Sequence, residues 1–215
     1  MKGSSSAKET ILKKVRQALA NPVPVPFLQS EGATSVFQPE TKELEIEFAE
    51  NFTGLLGKFS YCADSNELNG QLLSLFITEK ISSVYCREPQ LSDLLTAMGY
   101  KGINATSLAD CDAGLTSCEL LIARTGSIIM SSAQLSGRTV SVYAPIHICV
   151  AYTNQLVYDI KEGLQILLKK YSNKLPSLIT MASGPSRTAD IEKTLVVGVH
   201  GPKEVYVFLV EGEST

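Results

Sequence analysis

The chain contains no tryptophan and only two histidines, His147 and His200, among its 215 residues. So little imidazole argues against a multi-histidine metal centre, because zinc and iron sites draw on several His or Cys ligands. Cysteine does not fill the gap. Cys62, Cys86, Cys111, Cys118 and Cys149 form no CxxC pair and no cluster-binding run, so no metal or iron–sulfur cofactor is expected in this chain and reduced, buried thiols are. Basic excess is missing as well: 19 Lys and Arg against 22 Asp and Glu give a net charge of −3, which offers no field for nucleic-acid backbones. No apolar run approaches the roughly 18 residues of a membrane span, and none of signal-peptide length opens the sequence. A cytoplasmic protein without a membrane span is the expectation.

Nucleotide and hydrolase motifs are absent too. Gly54-Leu55-Leu56-Gly57-Lys58 imitates a phosphate loop, but Phe52 stands where GxxxxGK[ST] needs its first Gly, and Phe59 follows the Lys. No GxGxxG follows a strand-like run, and there is no GxSxG elbow or HExxH pair.

What is present is a globular composition, 44% hydrophobic and 19% charged. The length suits one α/β domain with an appendage. Residues 1–38 read as the appendage. Ser6-Ala7-Lys8-Glu9 has the form of a capping box, and Ile11, Leu12, Val15 and Leu19 recur at helical spacing. Pro22, Pro24 and Pro26 then favour an extended spacer. Such an arm lies along its own domain, clasps a neighbouring subunit or hangs as a tail. Residues 39–215 read as a single α/β domain. Helices are expected over about 39–56, 67–80, 90–98 and 157–171, and short strands at 61–63, 83–86 and 104–108. Their alternation predicts parallel pairing. From 120 onward, 120–123, 128–131, 139–142 and 146–151 read as consecutive strands with tight connections, paired antiparallel or mixed within the same sheet.

The chemistry concentrates late in the chain. Gly184 and Pro185 form a corner after the strand 177–182, and Ser186, Arg187 and Thr188 then offer hydroxyls and a guanidinium at the start of a helical turn. That combination suits a carboxylate or another small anion. An ion pair of Arg187 with Asp190 or Glu192, and hydroxyls that merely cap the turn, is the structural alternative. Asp190 and His200 are the candidate proton-transfer groups. His147, between Ile146 and Ile148, either faces the sheet's edge or is a hydrogen-bonded histidine of the interior. Arg124-Thr125-Gly126-Ser127 is either an oxyanion-binding loop or a plain hairpin turn. Glu119 is a weaker candidate.

Gly184-Pro185-Ser186-Arg187-Thr188-Ala189-Asp190-Ile191-Glu192, followed by Gly198-Val199-His200-Gly201-Pro202 and the run Val205–Val210, resembles the C-terminal signature of the lactate-utilisation (LUD) domain family, in its lactate utilisation protein C branch. Arg124–Met130 and Pro145-Ile146-His147-Ile148 resemble that family's internal segments. The resemblance implies a three-layer α/β/α fold with a mixed sheet, similar to the NagB/RpiA/CoA-transferase class. It also implies oxidation of L-lactate to pyruvate in a complex whose iron–sulfur clusters sit in partner subunits. It places substrate binding at Gly184, Ser186, Arg187, Thr188, Thr125, Gly126 and His147, with His200 and Asp190 as catalytic groups. Arg124 departs from the acidic residue expected before Thr125-Gly126, which would reverse the field of that turn. A stand-alone enzyme binding a sugar phosphate, an acyl-CoA or a folate on the same fold is the alternative.

Overall fold

A computed structural model describes residues 7–20, 39–104, 106–189 and 195–212. The chain divides into two compact units, Met1–Pro39 and Glu40–Thr215. The first contains helix α1, Ala7–Ala20, on which Glu9 sits in the first turn, where a carboxylate suits the helix dipole. Ser6 of the expected capping box and the Pro22–Pro26 spacer lie outside the described residues.

The second unit opens with α2, Leu44–Gly54, whose Phe48 and Phe52 are fully buried and stack at 5.3 Å between ring centroids. Strand β1, Lys58–Cys62, leads to α3, Ser65–Thr78, whose N-cap Asp64 accepts from the amides of Asn66 and Glu67. Next come β2, Val84–Tyr85; α4, Pro89–Ala97, with Pro89 in its first turn; β3, Ile103–Asn104; and β4, Ala113–Thr116. Gly99, at φ +73°, supplies the left-handed residue that ends α4.

β5, Leu120–Ile122, and β6, Ser127–Ser131, follow, joined through a 3-10 turn at Ala123–Thr125. The chain then forms a short helix α5, Val140–Tyr143, and strands β7, Ile146–Tyr152, and β8, Leu156–Val157. Helix α6, Ile160–Lys170, is capped by Asp159 and carries Lys169 and Lys170 in its last turn, the favourable end for cations. β9, Ile179–Ala182, β10, Arg187–Ala189, β11, Leu195–Val197, and β12, Glu204–Val210, complete the unit.

Six strands form a wholly parallel sheet in the order β1-β12-β7-β4-β2-β3. Its central strands β7 and β12 are buried along nearly their whole length, as sheets covered on both faces require. Leu68, Leu72 and Phe76 of α3 and Leu91 and Leu95 of α4 cover one face. Phe48 and Phe52 of α2, with Leu121, Ile128 and Met130 of β5 and β6, cover the other. β5 and β6 belong to a second sheet, ordered β8-β5-β6-β9, that mixes parallel and antiparallel pairs. Leu167 of α6 packs on its far side. The architecture is α/β, with a parallel central sheet flanked by helices.

Two sequence expectations need correction at the level of elements. The antiparallel pairing read into residues 120–151 is real for β5 and β6, but β7 joins the parallel sheet instead of theirs. A four-residue connection, 123–126, forces the reversal in the first case, whereas β7 is preceded by a helix and is free to run parallel. Residues 139–142 are not a strand: α5 occupies them, because Val140 must bury against Gly114, where even a Cβ would lie 2.5 Å from Val140 Cγ1. Among the described residues no helix is long and apolar enough to cross a membrane.

Candidate functional site

The structure draws Gly184, Pro185 and Ser186 and the His200-Gly201-Pro202 segment into one corner. Gly184, at φ +76°, turns the chain so tightly against the end of α2 that a Cβ there would sit 2.4 Å from the Leu55 carbonyl oxygen. Only glycine accepts both the angle and the contact. Pro185 is buried beneath it. The Ser186 amide donates to the Pro202 carbonyl at 2.9 Å, the Gly198 amide donates to the Ser186 carbonyl at 2.9 Å, and the Lys203 amide donates to Pro145 at 2.8 Å. A Cβ on Gly201 would lie 2.8 Å from Ser186 Cβ. The Gly-Pro-Ser corner and the His-Gly-Pro segment are therefore one interlocked unit.

Beside it runs an open groove of about 510 Å³ walled by Val142, Tyr143, Pro145, His200, Gly201 and Lys203. His200 is exposed in a bend between β11 and β12. The helical turn expected at Ser186–Thr188 is absent. Arg187 and Thr188 lie on β10, in register with Val197 and Val196, so their amides face a strand ladder and not a helix start. The β-rich run Leu195–Val197 supplies the pairing partner that the sequence reading lacked. Arg187 is exposed and stands outside the groove lining. Asp190 and Glu192 lie outside the described residues.

The Thr125-Gly126 turn adjoins this corner through a chain of hydroxyls: Thr125 Oγ1 is 2.8 Å from Ser127 Oγ, which is 2.7 Å from Ser183 Oγ, next to Gly184. Two of its amides are committed, Arg124 to the Tyr158 carbonyl and Gly126 to the Ala123 carbonyl. Asn51 of α2 donates to the carbonyls of Ala123 and Arg124, and a Cβ on Gly126 would lie 2.5 Å from the Phe52 nitrogen. The turn thus clamps α2. Arg124 Nε donates to Asp159 Oδ2 at 2.6 Å, which balances the positive charge that the sequence placed here. That pair also holds Asp159 below the usual carboxylate range, after the Lys161 amide hydrogen bond at the start of α6.

His147 stands apart from the corner. It is fully buried on β7, its Nε2 2.9 Å from Thr116 Oγ1, and its Nδ1 has no hydrogen-bond partner among the described residues. Burial pulls its pKa down to about 4, so it stays neutral at physiological pH.

A second polar cleft opens at the carboxyl ends of β2 and β4, the edge where α/β sheets bind ligands. Two adjoining lobes, of about 230 and 490 Å³, share Gln90, Ser117, Glu119, Gln134 and Lys170. Glu119 is buried and accepts from Ser131 Oγ at 2.5 Å, Tyr171 Oη at 2.6 Å and Lys170 Nζ at 2.7 Å. Burial pushes its pKa up, but donation from Lys170, Ser131 and Tyr171 outweighs it and leaves the carboxyl below its usual range. Glu88, also buried, accepts the Ser117 amide at 3.1 Å. Glu119 is a weaker candidate in the sequence and Glu88 is not among the candidates there, because its burial against Ser117 is a contact between residues far apart in the chain.

The LUD domain profile matches residues 96–210, over half of the chain and all of the corner. An uncharacterised protein of Neisseria meningitidis is 33% identical over 46% of this chain and 42% of its own length. A lactate utilization protein C of Deinococcus radiodurans is 36% identical over 50% of each chain. The chain spans about half the length of these curated relatives. A crystal structure of a DUF162 family protein from Deinococcus radiodurans superposes with a TM-score of 0.60 at 22% identity, covering 80% of this chain and 99% of that one, which supports the fold. On the strength of the domain match, the chain belongs to the LUD domain family.

Proposed function

We propose that this chain works in the cytoplasm as a subunit of the oxidation of L-lactate to pyruvate, and that its Gly184–Lys203 corner receives the small carboxylate. The observation that carries this reading is the family match over residues 96–210, together with the likeness to relatives such as the lactate utilization protein C of Deinococcus radiodurans. In this reading Arg187 grips the carboxylate through its guanidinium fork, and Ser186 and Thr188 add hydroxyl donors. His200 or Asp190 moves the proton released from the hydroxyl. Gly184, Thr125 and Gly126 shape the corner, and His147 supports the sheet behind it. The Cα–H bond gives up a second proton to solvent, and the two electrons pass to iron–sulfur clusters of partner subunits. Deleting the gene should abolish growth on L-lactate, and the tagged chain should co-purify cluster-bearing proteins. Undiminished growth with normal lactate consumption would sink the proposal.

The open groove of about 510 Å³ is far larger than lactate needs, and this favours a second reading as a stand-alone enzyme for a sugar phosphate, an acyl-CoA or a folate. Thermal-shift titration separates the two. Stabilisation by one of those ligands that depends on Arg187, with none by lactate or pyruvate, selects the second.

A further inference from the structure

The cleft at the carboxyl edge holds a carboxylate that the fold satisfies on one side only. Glu88 is the N-cap residue of α4, yet its side chain makes no capping hydrogen bond. Its Oε2 accepts the Ser117 amide at 3.1 Å. Its Oε1 is buried and has no hydrogen-bond partner among the described residues. The residue as a whole is only 9% exposed, so water has little access to compensate, and a buried carboxylate oxygen without a donor is unfavourable.

Glu119 shows what completion looks like in the same cleft. Three donors converge on it, one of them the ammonium of Lys170. Its charge is therefore matched within the fold. The charge of Glu88 is not, so the lobe that Glu88 lines with Gln90, Ser117 and Gln134 carries an unsatisfied acceptor. The adjoining lobe adds apolar walls from Leu91, Leu94 and Val150. One buried acceptor beside polar amides and a small apolar wall is the usual make-up of a small-molecule pocket.

We propose that this cleft binds a small organic molecule that places a hydroxyl or ammonium donor on Glu88 Oε1 and rests its carbon skeleton on Leu91 and Leu94. A carboxylate or phosphate fits worse, because it would set a second negative charge against Glu88, and Lys170, which lines both lobes, is already paired with Glu119. The site is thus opposite in sign to the anion corner, shares no residue with it, and stands or falls independently of the lactate reading.

The test is an amide NMR titration of the full chain, using ethanolamine and propane-1,2-diol as separate probes and L-lactate as the anionic comparison. The Ser117 amide, which donates to Glu88, is the reporter, with Gly198 and Gly201 marking the other corner. At least one probe should shift Ser117 saturably while leaving Gly198 and Gly201 unmoved; which one does so tells ammonium from hydroxyl. Glu88→Gln should weaken that probe by about tenfold or more. Leu94→Lys, which keeps Glu88 but places a cation and extra bulk in the cleft, should abolish saturation while circular dichroism shows the fold retained. The proposal is overturned if neither probe saturates, if both variants bind as the parent does, or if L-lactate shifts Ser117 equally well.

Discussion

Acidification should destabilise this protein through a single buried ring. His147 is held neutral by complete burial, with a pKa near 4 against about 6.5 in an unfolded chain. Between those values the unfolded state takes up a proton that the native state refuses, so stability is full above about pH 6.5 and is lost as pH falls towards 4. Each pH unit in that window costs about 1.4 kcal/mol, so lowering the pH to about 4.5 should remove roughly 2.5 kcal/mol. Carboxylates held below their usual range, Glu119, Asp112, Asp159 and Glu204, give up their stabilisation only at still lower pH, so they leave this window largely to the histidine. The assay is urea unfolding followed by far-UV circular dichroism, since the chain has no tryptophan to report by fluorescence. His147→Gln keeps a hydrogen-bonding group for Thr116 and removes the titration. Its stability should be nearly flat from about pH 7 to 4.5 where the parent's falls. Parallel pH profiles for the two proteins would refute the reasoning.

Other substitutions probe the packing of the site. Gly126→Ala meets both a φ of +55° and a backbone contact with α2, so it should lower stability by more than about 1 kcal/mol in thermal melts. Lys170→Met leaves buried Glu119 with only Ser131 and Tyr171 as donors; because Lys170 itself is 57% exposed, a loss of about 1–3 kcal/mol is expected, at the low end of what breaking a buried pair costs. Gly201→Ala should destabilise through its contact with Ser186, and Ser186→Gly in the same chain should recover part of the loss, a coupling that a double-mutant cycle reads directly.

Much of the scaffold was legible because its signals are local. The apolar spacing of Leu68, Leu72 and Phe76 marked α3, and the apolar face of Ile160, Leu164, Leu167 and Leu168 with Lys169 and Lys170 at its end marked α6. What failed was non-local. Thr139–Val142 reads as a short apolar strand, yet Val140 fits tightly over Gly114 within α5. Ser186–Thr188 had helix-start chemistry, but Leu195–Val197 offered a ladder that won. Division of the strands between two sheets depends on which faces meet, and no window of sequence contains that. The site divides in the same way. Gly184 and Gly201 were readable as corners, but that they interlock through Ser186 was not. Arg124 looked like a reversal of local charge until Asp159, 35 residues on, balanced it. Glu88 was passed over because its burial depends on Ser117 of the neighbouring strand's loop.

The most direct test of the account is complementation. In a host deleted for this gene and grown on L-lactate as sole carbon source, the parent chain should restore growth, while Arg187→Ala, at equal abundance and unchanged melting temperature, should not. Growth restored equally by both would contradict the assignment of the lactate carboxylate to this corner.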